Sequence, residues 1–261
     1  MNRILTIINK EWAEVFKNRL VLFTVFFVPL MLTALPLVIL SLTKSTAGAS
    51  EMVDAPGQFM QSCLGMPAQD CLSIYLINEF MILYMIMPVM IPITIAAYSI
   101  VGEKNTRSLE PLLATPITTA ELLIGKGLAS VIPAIIATFG GFLLFAICLP
   151  LVGVSPQVQG YVFGPIWLIA IFVIGPLMAI LAVNFAIFIS SRVNDPRVAE
   201  QASALLLLPI LVLLFGQIGG FIILNPSLML IAAGVLVLLD IGAVYFGVLL
   251  FQRETILTRW K

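Results

Sequence analysis

The sequence predicts an all-α polytopic membrane protein, with an N-terminal interfacial elbow helix, six transmembrane helices and both termini cytoplasmic. Three observations predict it. The 261-residue chain is 61% hydrophobic and 10% charged, with mean hydropathy +1.14, against roughly 25% charged residues in an ordinary soluble domain. Its apolar residues gather in runs that can cross a bilayer core of about 30 Å, which takes about 20 residues of helix. Once those runs are marked out, twelve of the thirteen Lys and Arg residues fall on one side.

Basic residues near span ends are retained in the cytoplasm, which orients the chain. Arg3, Lys10, Lys17 and Arg19 precede the first run, and Lys104, Arg107 and Lys126 follow the second. Arg192 and Arg197 follow the fourth, Arg253, Arg259 and Lys261 follow the last, and only Lys44 lies opposite.

The whole chain reads as one domain, and its elements follow in order. In residues 1–19, Ile4, Leu5, Ile8, Trp12, Val15 and Phe16 recur at helical spacing, with Arg3, Lys10 and Lys17 on the polar side. This is the pattern of a helix lying in the headgroup plane, a depth that suits Trp12. The charges at 10–19 argue against a continuation of the first span. That span, 20–42, has 23 residues, too many for a signal-peptide core of roughly 7–15. Residues 43–78 form the long external segment, with Glu51, Asp54, Asp70, Cys63 and Cys71. An oxidising face permits a Cys63–Cys71 disulfide; two free thiols are the alternative. Span two is 80–102. The charge-free stretch 127–191 is divided at 152–160 by Gly and Pro, giving spans 128–151 and 161–190. Asn225-Pro226-Ser227 then separates spans 203–224 and 227–251. Cys148 is a small apolar filler within span three. Pro88, Pro92 and Gly175-Pro176 mark kinks.

Several function classes are excluded. Zero net charge gives no case for a nucleic-acid partner. The absence of His removes the commonest metal ligand and general base, so no metal site is expected. No hydrolase motif is present, and Asp240 alone stands deep in a span where an aspartyl protease needs two. An ionised Asp at a helix centre costs roughly 2.5–3.5 kcal/mol on insertion scales. Asp240 is therefore protonated, faces a wet cavity, binds a cation, or hydrogen-bonds to groups such as Asn184, Gln217 or Tyr245. Asp240, Asn184 and Gln217 are the translocation-path candidates, with a helix-packing hydrogen bond as the alternative for Asp240.

The informative cytoplasmic loop is 103–127. Ser108 is placed to cap a short helix with Leu109, Glu110 and Pro111 in its first turn, which Pro116 ends. Thr118 and Glu121 have capping-box spacing for a new helix running into span three. The short helix presents Leu109, Leu112 and Leu113 as knobs, a form suited to docking in another protein's groove.

The run Glu103-Lys104, Arg107-Ser108-Leu109-Glu110, Leu112-Leu113-Ala114-Thr115-Pro116, then Glu121-Leu122-Leu123 and Gly125-Lys126 resembles the permeases of type-2 ABC exporters. The motif covers the loop, and the elbow and six spans agree in outline over the whole chain. The resemblance implies that Ser108 to Pro116 form the coupling helix that contacts an ATPase subunit, with Glu103, Lys104 and Arg107 as its charged approach. The chain has no phosphate loop of its own: at the nearest approach, Gly125-Lys126-Gly127, Ala120 replaces the first Gly and no hydroxyl follows the Lys. No cofactor is therefore expected on this chain. ATP and Mg would sit on a separate ATPase, two copies per complex, beside a second permease chain as homodimer or heterodimer. The nearly charge-free interior points to hydrophobic or amphipathic cargo within the cell membrane. The competing reading is a stand-alone secondary transporter or channel with Asp240 as a cation or proton site. Such proteins often show two related halves, and no convincing repeat is visible.

Overall fold

The computed structural model describes residues 2–45, 65–105 and 118–250. Among these, all regular structure is helical, and six stretches are long and apolar enough to cross a membrane. A first helix, α1 (Asn2–Val15), precedes α2 (Arg19–Ser45). The second span is a pair, α3 (Ala68–Tyr84) and α4 (Met87–Asn105), broken at Met85 and Ile86 just before Pro88. The third is α5 (Thr119–Cys148), closed by a 3₁₀ turn, Leu149–Val152. The fourth is assembled from α6 (Pro156–Val162), α7 (Pro165–Ile169), a π turn (Ala170–Ile174) and α8 (Gly175–Arg192). The fifth joins α9 (Pro196–Ser203), a 3₁₀ turn (Ala204–Leu207) and α10 (Leu208–Ile218), and the sixth is α11 (Pro226–Leu250).

The α3–α4 span is the central pillar, 72% buried against 17% for the fifth and sixth spans. It packs on α8, α5 and α9, while α2 and α11 lie outside against α5 and α8. The outer helices turn large apolar side chains outward, including Phe26, Ile136, Val212 and Leu238. Such a surface suits lipid or another apolar partner. Within the bundle, the predicted kink at Gly175-Pro176 is where the π turn ends: Pro176 has no N–H to continue the ladder.

Several boundaries differ from the apolar runs. The helix of span two begins at Ala68 rather than 80, so the last part of the expected external segment is helical and largely buried. Span three starts its helix at Thr119 rather than 128, and span five runs Pro196–Ile218 rather than 203–224. These added turns contain polar residues, which lowers hydropathy without preventing helix formation once neighbours cover them. Residues 219–225 form no helix, and Gly220 turns the chain there with φ 72°.

Candidate functional site

The helix α1 docks on α5 and α4. Its buried face is Ile7, Ile8, Glu11 and Val15, whereas Leu5, expected on that face, is 53% exposed. Two contacts fix the dock. The Trp12 indole donates to the Ala129 carbonyl at 2.9 Å, and Ile7 presses on Gly125, where an added Cβ would lie 2.8 Å from Ile7 Cγ2. Only Gly permits that approach.

The docked Glu11 then stands in an apolar interface, 2% exposed. A buried carboxylate needs charge and hydrogen-bond partners, and here they come from three helices. Lys126 Nζ on α5 lies 2.7 Å from Glu11 Oε1 and 2.8 Å from Glu103 Oε2 at the end of α4. It also donates to Ser99 Oγ at 2.9 Å, and Ser99 in turn donates to Glu11 Oε2. Lys10 Nζ closes the set at 2.6 Å from Glu103 Oε1. Two carboxylates face two ammonium groups, so the cluster is neutral while Glu11, Glu103 and Lys126 are each at most 5% exposed. At Lys10 burial pulls the ammonium pKa down. The hydrogen bond and charge of Glu103, with Glu14 and Glu11 behind, outweigh it and leave the value raised above 10.5.

This cluster sits at both roots of the segment 106–117. Glu103 is its last buried residue before the segment and Lys126 lies one helical stretch after it, on α5. The capping box expected at Thr118 is present: Glu121 N donates to Thr118 Oγ1 at 3.2 Å and Thr118 N donates to Glu121 Oε2 at 2.8 Å. On the other flank Lys104 Nζ reaches the carbonyls of Ser191 and Val193 at 3.5 and 3.4 Å, a favourable place for a cation at the C-terminus of α8. Thr94 on α4 donates to Glu200 Oε1 on α9 at 2.6 Å. The root of the segment is thus tied to α1, α5, α8 and α9.

Of the residues singled out from sequence, Glu103 and Lys104 hold these ties. Arg107, Ser108, Leu109, Glu110, Pro111, Leu112, Leu113 and Pro116 lie outside the described residues. Asp240 is buried, and neither carboxyl oxygen has a hydrogen-bond partner among the described residues. Asn184 donates within its own helix to Ile180 O at 2.9 Å, with its Oδ1 facing Gly247 of α11. Gln217 instead faces Glu79 on α3. The three path candidates therefore do not form one site. Cys71 is buried and disulfide-bonded, and Cys148 carries a free thiol; Cys63 lies outside the described residues.

Sequence reasoning missed Glu11, Ser99 and Glu79. For Glu11 a signal existed: a Glu set among Ile7, Ile8, Trp12 and Val15 on one apolar stripe requires a buried partner. Glu79 fell between an expected loop and an expected span.

Comparison with curated proteins finds no match. Comparison with protein families matches residues 5–254 to the ABC-2 family transporter proteins. The match takes in nearly the whole chain, and the protein belongs to that family.

Proposed function

We propose that this ABC-2 family member is the membrane-spanning permease subunit of an ATP-driven exporter, coupled through its 103–127 loop to a separate ATPase subunit. Proteins of this family work with ABC ATPase partners. The observation that carries the coupling role is the neutral buried cluster of Glu11, Lys10, Glu103 and Lys126, which roots both ends of segment 106–117 in the bundle. A loop that only joined two spans would need no such support. In this reading α1 is the interfacial elbow, the termini are cytoplasmic, and Ser108 to Pro116 dock on the ATPase. Two ATPase copies holding ATP and Mg serve two permease chains, the second a copy of this one or a relative. Asp240 contributes a polar contact to the path of a hydrophobic or amphipathic cargo.

The test acts on the loop. Glu110→Lys and Leu112→Trp should leave insertion and assembly intact while export falls and ATP hydrolysis no longer responds to cargo. Normal export with both substitutions would refute the coupling role. Asp240→Asn should change export without loss of folded protein; unchanged export would remove Asp240 from the path.

A further inference from the structure

A groove runs along the outer face of the bundle where α1 meets α2 and α5. Its volume is about 400 Å³, within the roughly 300–1,000 Å³ of sites that hold small molecules. Pro29 of α2 and Pro133 of α5 line its buried base, while Phe26 and Ile136 stand exposed at its rim. Pro133 has no N–H for the Ala129 carbonyl one turn back. The Trp12 indole supplies that donor at 2.9 Å, which seats Trp12 across one end of the groove. Towards the other end Gly140 leaves the wall bare: a Cβ added there would meet no heavy atom within 4 Å. From Ala129 to Gly140 is 11 residues of α5, about 16 Å of helix, or one half of a hydrocarbon core of about 30 Å. The end beside Trp12 is basic. Lys17 follows directly on Phe16, which lines the groove. Arg19 precedes Phe26 by seven residues, two helical turns, and so lies on the same face of α2. Lys17 and Arg19 are exposed, and among the described residues neither forms an ion pair.

We propose that this groove binds one anionic phospholipid of the surrounding membrane, with an acyl chain along Pro29, Pro133 and Gly140 and the phosphate headgroup at Lys17 and Arg19. The lining keeps no side-chain donor in want of a partner, since the Trp12 N–H is already used, so water finds no polar partners there. An unfilled concavity forfeits the dispersion contacts of its walls, and a hydrocarbon chain restores them. Its length of one half of the core matches the chains of a single leaflet. On a convex helix surface a lipid is touched from one side, whereas here α1, α2 and α5 contact it from three. The two cations select the headgroup. Basic residues at the membrane surface attract anionic lipid, and a zwitterionic headgroup offers them no net negative charge.

The proposal is tested on the purified full chain in mild detergent, with whatever subunits accompany it, exchanged into micelles holding equal amounts of phosphatidylglycerol and phosphatidylcholine. Native mass spectrometry reads the lipid that stays bound as the detergent is stripped away. One phosphatidylglycerol per chain should remain, favoured over phosphatidylcholine by about tenfold or more, the order that two basic side chains contribute at an anionic headgroup. Lys17→Gln combined with Arg19→Gln should bring that ratio close to unity. Gly140→Leu grows into open space and spares the packing of α5, so it should remove the bound lipid of either kind. It keeps the proposal testable if the double variant inserts poorly for want of its basic flank. Gly234→Leu, equally open but on α11, should keep the lipid. Adducts in equal amounts from both lipids, or a bound lipid that survives Gly140→Leu, would mean bulk annular lipid only and overturn the proposal. No bound lipid would overturn it as well, and a dimer that Gly140→Leu dissociates would then assign the groove to a second copy. The measurement requires no ATPase, so its outcome is independent of the exporter reading.

Discussion

Lys126 touches more of the cluster than any other side chain, and it is the residue whose loss should be felt most. Removing it leaves Glu11 and Glu103 buried, with the part-exposed Lys10 as the remaining cation of the cluster. Breaking one partner from a buried ion pair costs about 3–5 kcal/mol. Lys126→Met should therefore lower the melting temperature sharply in detergent, and Lys10→Met much less. Adding Glu11→Gln to Lys126→Met should restore part of the loss, because the two residues share one network. Purely additive losses in that cycle would show that the pair is not coupled. The glycine beside it gives a steric counterpart. Gly125→Ala puts a methyl 2.8 Å from Ile7 Cγ2 and 3.0 Å from its Cβ, atoms too near the backbone to swing aside. It should destabilise the α1 dock by about 1–3 kcal/mol, and Ile7→Ala should relieve it, which a thermal melt of the three variants checks.

The same residues set a pH dependence. Lys10 has its pKa raised, by Glu103 above all once burial is offset. A raised pKa contributes stability that is fully present below the unfolded value of 10.5 and disappears as pH rises through the higher folded value. Melting at pH 7 and pH 9 should thus show no loss from Lys10, with a decline confined to pH above 10.5 that Lys10→Met lacks. A loss from Lys10 at pH 9 would contradict the pairing.

At the scale of elements, the six spans were legible because each carries a long apolar run, free of charge except for Asp240 in the last, the strongest one-dimensional signal a membrane helix gives. Their ends were not. Residues 68–79 include Gln69, Asp70, Ser73, Asn78 and Glu79, and they are helical because α2, α6 and α10 pack around them. Packing of this kind overrides local composition. The face of α1 was misread for a related reason. Grouping by hydropathy placed Leu5 inward and left Glu11 out, whereas the partners that make Glu11 a core residue come from positions 99 and 126, far away in sequence. Local caps fared better: the Thr118–Glu121 box was readable from spacing alone because both partners lie within one turn. Gly175-Pro176 likewise signalled a break, though not that the break is a π turn.

For the whole molecule, the architecture joins a central α3–α4 pillar to a loop root clamped by four charges, with sparsely buried helices outside. The candidate coupling motif from Arg107 to Pro116 lies outside the described residues, while the charged cluster on the helices that flank it was visible only in three dimensions. Whether segment 103–127 seats a separate ATPase is decided by site-specific photocrosslinking from Leu112 in the native membrane, followed by mild-detergent purification and mass measurement. A crosslink to a soluble chain carrying a phosphate-binding loop is expected, in a complex with two copies of that chain and two permeases. Efficient incorporation of the crosslinker with this chain recovered alone, and no such adduct, would contradict it and favour a self-sufficient transporter.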